Sequence, residues 1–169
     1  MNIETERKFL IERPTENLLR AQPGIRILDM VQTYLMPDGN TERRVRRITE
    51  NGADSCIYTE KRPVDGSKIS RYEDERTVSE EEYRRLTADC ISELTKTRFS
   101  FPYGGHIIEI DIYPYDIGGD ALEGKAVLEV ELSSPDEAFD LPRFITVLRE
   151  LTGTREFSNK ALAKPKRAE

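Results

Sequence analysis

Residues 1–10 read MNIETERKFL. Glu4, Glu6 and Lys8 occupy alternate positions, with Thr5, Arg7 and Phe9 on the other register. Successive side chains of a β-strand point to opposite faces, so the pattern puts two acids and a base on one side of a first strand. The same spacing recurs along the chain. Arg44 and Arg46 alternate around Val45, Thr59 with Lys61, Glu73 with Glu75, and Lys96 with Arg98. Glu109 and Asp111 are flanked by Ile108, Ile110 and Ile112, and Glu129 and Glu131 by Leu128, Val130 and Leu132. In those last two strands the charged face backs onto an aliphatic one.

On any one strand, such alternation ordinarily means an apolar face on a core and a charged face in water. The set reads differently. Solvated strand faces mix Thr, Ser, Gln and Asn with charges, whereas these positions are almost all Arg, Lys, Glu or Asp. The charges also come in like-sign pairs, which repel on one face and make sense around a ligand. If the strands close on themselves, the charged face lines a polar tunnel and the aliphatic faces pack outward against helices. Strands are expected at 3–11, 27–36, 41–49, 55–62, 70–78, 94–101, 105–113 and 126–133. Asn51-Gly52, Asp65-Gly66 and Gly104-Gly105 supply the positive φ of tight turns. Ser79 and Glu82 form a capping box opening a helix to about residue 91. A second helix is expected over 141–151, with Phe144, Val147, Leu148 and Leu151 on one face and Gly153 at its end. Short helical stretches are read at 16–21 and 158–163. The fold class is α+β: a closed eight-stranded antiparallel β-barrel with helices packed outside, one domain over 1–169.

Bulk properties narrow the function. The chain has 169 residues, 37% hydrophobic and 34% charged, with a net charge of −6. That length suits one well-buried domain. The charge argues against nucleic acid as a partner but leaves room for a local basic site. No apolar stretch approaches the ~20 residues of a membrane span, and the acidic N-terminus does not read as a signal peptide. Cys56 and Cys90 have no metal-ligand spacing and read as reduced thiols of a cytoplasmic protein.

Carboxylate clusters are hard-oxygen ligands suited to Mg²⁺ or Mn²⁺. Arg and Lys clusters match phosphate, Arg through paired hydrogen bonds and Lys as a point charge. Together they imply a small phosphorylated substrate bridged to metal, an inventory sufficient for phosphoryl transfer. No Walker-type glycine-rich loop occurs.

At these residues the chain resembles the CYTH superfamily of triphosphate tunnel metalloenzymes. Glu4-Thr5-Glu6-Arg7-Lys8 fits the ExExK signature, and the charged pairs follow in the family's order. Ser158-Asn159-Lys160-Ala161-Leu162-Ala163 is similar to the C-terminal "NKALA" segment of bacterial members. The resemblance implies Glu4, Glu6, Glu129 and Glu131 as metal ligands, with Glu73 and Asp111 added through water. It implies Lys8, Arg44, Arg46, Lys61, Lys96 and Arg98 as phosphate binders, with Lys160 capping the site. Tyr34, in Val31-Gln32-Thr33-Tyr34-Leu35, fits the position of a Tyr that pairs with the signature Lys in members hydrolysing tripolyphosphate. Two catalytic roles stay open for Lys8 and Tyr34: general base, or orientation of the attacking water.

The activity implied is metal-dependent hydrolysis of inorganic tripolyphosphate to pyrophosphate and phosphate. A class IV-type adenylate cyclase, a thiamine triphosphatase and a non-catalytic polyphosphate or nucleotide sensor are the alternatives. The family accommodates homodimers, though no surface feature here marks one. Arg7, Arg43, Arg47, Glu60 and Arg62 fall on the outward register. His106, the sole histidine, reads as an edge residue, and Tyr113 and Tyr115 as packing residues. Lys164, Lys166 and Arg167 read as a disordered basic tail.

Overall fold

The computed structural model describes residues 2–165. Its elements run β1 (Asn2–Glu12), α1 (Glu16–Arg20), β2 (Arg26–Tyr34), β3 (Glu42–Glu50), β4 (Ala53–Pro63), β5 (Ser70–Val78), α2 (Glu80–Thr87), β6 (Ser92–Tyr103), β7 (His106–Ile112), β8 (Lys125–Leu132), β9 (Val147–Glu150), α3 (Asn159–Leu162) and β10 (Lys164–Pro165). Eight strands pair in the order β6-β2-β3-β4-β5-β1-β8-β7, every neighbour antiparallel, and β7 returns to β6. The sheet is a closed barrel, as the charge columns require. The structure is mostly β, with a few short helices outside.

Two hairpins rest on the backbone freedom of their turns. Glu50 pairs with Ala53 across Asn51-Gly52, and Tyr103 with His106 across Gly104-Gly105. All four turn residues have positive φ, which matches a two-residue turn to the strand twist.

The outer face of β1, β6, β7 and β8 carries one apolar cluster, including Phe9, Ile11, Phe99, Phe101, Ile108, Ile110, Leu128 and Val130. Leu19 of α1 and the irregular segment holding Phe139, Leu141, Phe144 and Ile145 cover it. A separate cluster on β3 and β4 packs Val45, Cys56 and Tyr58 against Tyr83 and Leu86 of α2. Ser79 caps that helix as expected, its hydroxyl accepting from the Glu82 amide at 3.1 Å, though the helix ends at Thr87.

The helix expected over 141–151 is not formed. Phe144 joins the outer cluster, Val147–Glu150 form β9 against β1, and Leu151 joins a third cluster. The reason lies in β1. Its pairing with β5 stops at Thr5, which leaves the edge of its second half without partners on that side. Buried backbone groups must be hydrogen-bonded. Residues 146–151 satisfy this edge: the Glu12 amide donates to the Thr146 carbonyl at 3.0 Å and the Leu151 amide to the Lys8 carbonyl at 2.8 Å. The consecutive β-branched residues Ile145, Thr146 and Val147 favour the extended form.

The third cluster positions the C-terminal segment. At one end of the barrel the inward positions turn apolar, at Leu10, Leu94, Tyr113 and Val127. Leu151, Phe157 and Leu162 dock on them and carry residues 152–161 to the rim of the lumen. Lys164 is not in a free tail: β10 pairs with β6 at Glu93, while Lys166 and Arg167 lie outside the described residues. Tyr113 is buried as expected, but Tyr115 is exposed. Cys56 and Cys90 are free thiols. No helix among the described residues is long and apolar enough to cross a membrane.

Two truncations separate strand from helix in 147–150. Leu128→Ala, at a fully buried site, should lower the unfolding free energy by about 2–5 kcal/mol. Leu148→Ala, at 42% exposure on β9, should cost less than about 0.5 kcal/mol. Urea denaturation of both variants checks the pair; a core-sized loss at Leu148 would restore the helix.

Candidate active site

The lumen is assembled from alternate residues of all eight barrel strands. Antiparallel partners share a face, so Lys8 meets Glu129, Glu6 meets Glu131, and Arg98 meets Asp111. Tyr34 meets Arg44, Arg44 meets Thr59, and Thr59 meets Glu75. Of these, all but Thr59 and Asp111 line a cavity of about 910 Å³. Among the described residues its wall carries eleven Arg or Lys and eight Glu. The wall is therefore net basic in a chain whose total is −6.

Asp111 anchors one side. It is fully buried and accepts from Lys96 Nζ at 2.6 Å, Arg98 Nε at 2.7 Å and Arg98 Nη2 at 2.8 Å. Burial works to raise its pKa, but Arg98 and Lys96 outweigh it and hold the carboxyl below its ordinary range. Arg98 also bonds Glu129 at 3.1 Å and pairs with Glu109. Glu129 takes Lys8 Nζ at 3.2 Å. Lys96 is brought down to about 8, by burial first and then by Arg98, with Asp111 opposing.

On the other side Lys61 sits between Glu4 at 2.5 Å and Glu73 at 2.7 Å. Burial would raise the Glu4 pKa, but Lys61 wins and lowers it. Arg46 donates to Glu75 at 2.6 Å, and Thr59 to the same oxygen at 2.9 Å. Arg44 has no carboxylate within ion-pair distance among the described residues. The Nε atoms of Arg44 and Arg46 are buried without hydrogen-bond partners. Burial, and then the neighbouring Arg44, bring Arg46 down to about 10. Two adjacent buried guanidiniums with bare donors mark a place for an anion.

The acids show the complementary tension. Glu6 is raised to about 7, by burial and then by Glu129 and Glu4, with Lys8 and Lys61 offsetting only part. Glu131 is raised by burial and then by Glu4 and Glu73. A divalent cation would relieve this repulsion, and the donor set is the hard-oxygen set such ions take. The fit is one of donor chemistry: among the described residues no three acidic side chains form a ready coordination group. Glu4 and Glu129 are held instead by the lumen's own bases.

Of the residues read from the sequence, Glu4, Glu6, Lys8, Tyr34, Arg44, Arg46, Lys61, Glu73, Lys96, Arg98, Glu129, Glu131 and Lys160 all line the cavity. Asp111 lies behind the wall with both oxygens occupied. Lys160 stands at the rim, 3.8 Å from Glu42. The hydrogen bonds of Lys8 and Tyr34 go to other residues. Lys8 pairs with Glu129, while the Tyr34 hydroxyl accepts from Gln32 Nε2 at 2.6 Å. Burial would lower the Lys8 pKa, but Glu129 and Glu6 raise it, so Lys8 is a firm ammonium. Gln32, Arg71 and Asn159 also line the cavity. Gln32 shares the period-2 column of Tyr34, which is the signal that would have found it. Asn159 is placed by α3, for which strand periodicity offers no signal. His106 bonds Glu137 at 2.9 Å, away from the lumen wall.

The CYTH domain model matches residues 2–164. The chain belongs to this family of triphosphate tunnel proteins, whose members bind and hydrolyse triphosphates, typically with divalent metals. No curated protein matches it in sequence. Among solved structures it is similar to PH1819 from Pyrococcus horikoshii OT3, at 20% identity and a TM-score of 0.58 over 79% of this chain and 80% of that one. It is similar to HpAC1 from Hippeastrum, a candidate adenylyl cyclase with a dominant triphosphatase activity, at 16% identity and TM-score 0.52 over 80% and 81%. A candidate adenylate cyclase from Vibrio parahaemolyticus follows at 12% identity and TM-score 0.51, over 79% of each chain. At these identities the likeness is one of fold.

The crowding at Glu6 has a measurable sign. Folding raises its pKa from 4.5 to about 7, so its favourable contribution is present at low pH and is lost as pH rises through that window. Metal-free Glu6→Gln should match the wild-type melting temperature near about pH 4.5 and exceed it near about pH 8. Differential scanning calorimetry in chelator across that range checks the crossing.

Proposed function

We propose that the protein hydrolyses a triphosphate inside the barrel, with inorganic tripolyphosphate as the favoured substrate, releasing pyrophosphate and phosphate. The observation that carries this reading is the net basic wall, with the bare buried donors of Arg44 and Arg46. Family membership supports the reaction class. Tripolyphosphate is favoured over a nucleotide or thiamine ester because Tyr34 is the sole aromatic residue on the described wall, which leaves no second ring to sandwich a base.

Arg44, Arg46 and Lys61 bind the phosphate chain, with Lys96 and Arg98 held in place by Asp111 and Lys160 closing from the rim. Glu4, Glu6, Glu129 and Glu131 are the residues that would hold Mg²⁺ or Mn²⁺, with Glu73 behind Lys61; a bound cation supplies charge neutralisation of the phosphoryl oxygens. An arriving anion competes for Lys61 and Lys8 and so releases Glu4 and Glu129 as oxygen donors. Lys8, protonated, orients the attacking water or the oxygen it approaches and does not accept the proton. Water attacks the terminal phosphorus, the bridging P–O bond breaks with its electron pair on pyrophosphate, and the proton lost by the water passes to an oxygen of the phosphate products.

The test is a panel of tripolyphosphate, thiamine triphosphate, ATP and pyrophosphate with Mg²⁺ or Mn²⁺, following phosphate and cyclic AMP. Phosphate release from tripolyphosphate is the expected result; cyclic AMP from ATP would replace it with a cyclase, and binding without turnover with a sensor. Glu4→Gln should lower kcat by about 100-fold or more through weakened metal binding. Near wild-type turnover in that variant would remove the metal assignment.

A further inference from the structure

Gln32 is a neutral side chain in a wall of charges, and it is fully buried on β2. Its cross-strand neighbours are Arg46 on β3 and Leu94 on β6. Its Nε2 donates to the Tyr34 hydroxyl at 2.6 Å, while its Oε1 is buried with no partner. A buried amide with one end unpaired calls for an explanation. Beside the Arg46 guanidinium, a bare oxygen is tolerated far better than a bare N–H would be.

Arg44 is the cross-strand neighbour of Tyr34 on β3. A guanidinium only donates, and so does an amide NH₂. The phenolic oxygen therefore accepts from Gln32, and neither the Gln32 amide nitrogen nor Arg44 can take its proton. Its one proton must be donated elsewhere. Tyr34 lines the cavity beside Arg44 and Arg46, where the anion would lie.

We infer that Gln32 is a positioning residue: by donating to the phenolic oxygen it turns the Tyr34 O–H into the lumen as a hydrogen-bond donor to a polyphosphate oxygen. This rests on the triphosphate reading of the cavity. It gives Tyr34 the part of a neutral donor beside the two guanidiniums, in place of a partner for Lys8. Burial, which raises the Tyr34 pKa, keeps the proton in place.

The experiment compares wild type, Tyr34→Phe, Gln32→Leu, Gln32→Glu and the Gln32→Leu/Tyr34→Phe double variant, each checked for an unchanged melting transition. Calorimetric binding of tripolyphosphate in chelator is measured alongside kcat and KM with Mg²⁺. Each single variant should weaken metal-free binding by about tenfold, the scale of one hydrogen bond to a charged group. The double variant should be no worse than Tyr34→Phe, because Gln32 acts through the hydroxyl that is already gone. Gln32→Glu should lose as much as Tyr34→Phe, since a carboxylate draws the phenolic proton to itself. Additive losses in the double variant, or wild-type affinity in Gln32→Glu, would overturn the role while leaving the triphosphate reading intact. A wild-type protein that fails to bind tripolyphosphate would remove both. Should Gln32→Leu not fold, Gln32→Met takes its place in the cycle, because it removes the amide donor without adding charge.

Discussion

Closing a β-sheet on itself turns half of its side chains toward a confined space, and here that half is charged. Everything else in the structure accommodates this constraint. A buried charge is costly unless it is paired, and removing one partner of a buried pair costs about 3–5 kcal/mol. The lumen meets the requirement by cross-strand pairing: Asp111 with Lys96 and Arg98, Glu129 with Lys8 and Arg98, Lys61 with Glu4 and Glu73. The apolar surface that an ordinary barrel would place inside has moved to the outer face. Folding stability thus comes from the outer clusters and from the apolar cluster that closes one end of the barrel, and the rest of the interior is a charged lumen.

The pairing is incomplete in an informative way. Arg44 and Arg46 keep unsatisfied donors on one wall, and Glu6 and Glu131 crowd other carboxylates on another. An anion and a cation arriving together would satisfy both, and the bases now holding Glu4 and Glu129 would exchange one oxyanion for another. At rest, the protein's own carboxylates occupy the lumen's bases, Glu4 and Glu73 on Lys61 and Glu129 on Lys8 and Arg98. Such an arrangement limits reorganisation on binding, which is how preorganised electrostatic sites work.

Much of this was legible in the sequence because a strand has only two faces. Glu4-x-Glu6-x-Lys8 and Glu129-x-Glu131 fall in register whatever the barrel's shear, so the column of each charge follows from period 2 alone. The partner of each charge does not. That Lys61 meets both Glu4 and Glu73, or that Asp111 is hidden behind Lys96 and Arg98, depends on strand stagger. Gln32 shares the column of Tyr34 but carries no charge, so the charge pattern does not mark it. The segment around Phe144 and Leu148 departs from its sequence pattern for a different reason. Its apolar spacing suits a helix, but the unpaired half of β1 needs a strand, and backbone hydrogen bonding outweighs local periodicity.

The site draws on both ends of the chain. The Lys8 amide donates to the Thr152 hydroxyl across 144 residues at 2.9 Å, and Lys160 reaches the rim only after the C-terminal segment has docked. During synthesis, then, the first strand leaves the ribosome with its charged face in water and waits for β8, β9 and α3 to be made. Domains fold as units, and distant pairings come late. A chain cut short of residue 147 would keep Glu4-x-Glu6-x-Lys8 but lose β9, the strand that pairs with the second half of β1.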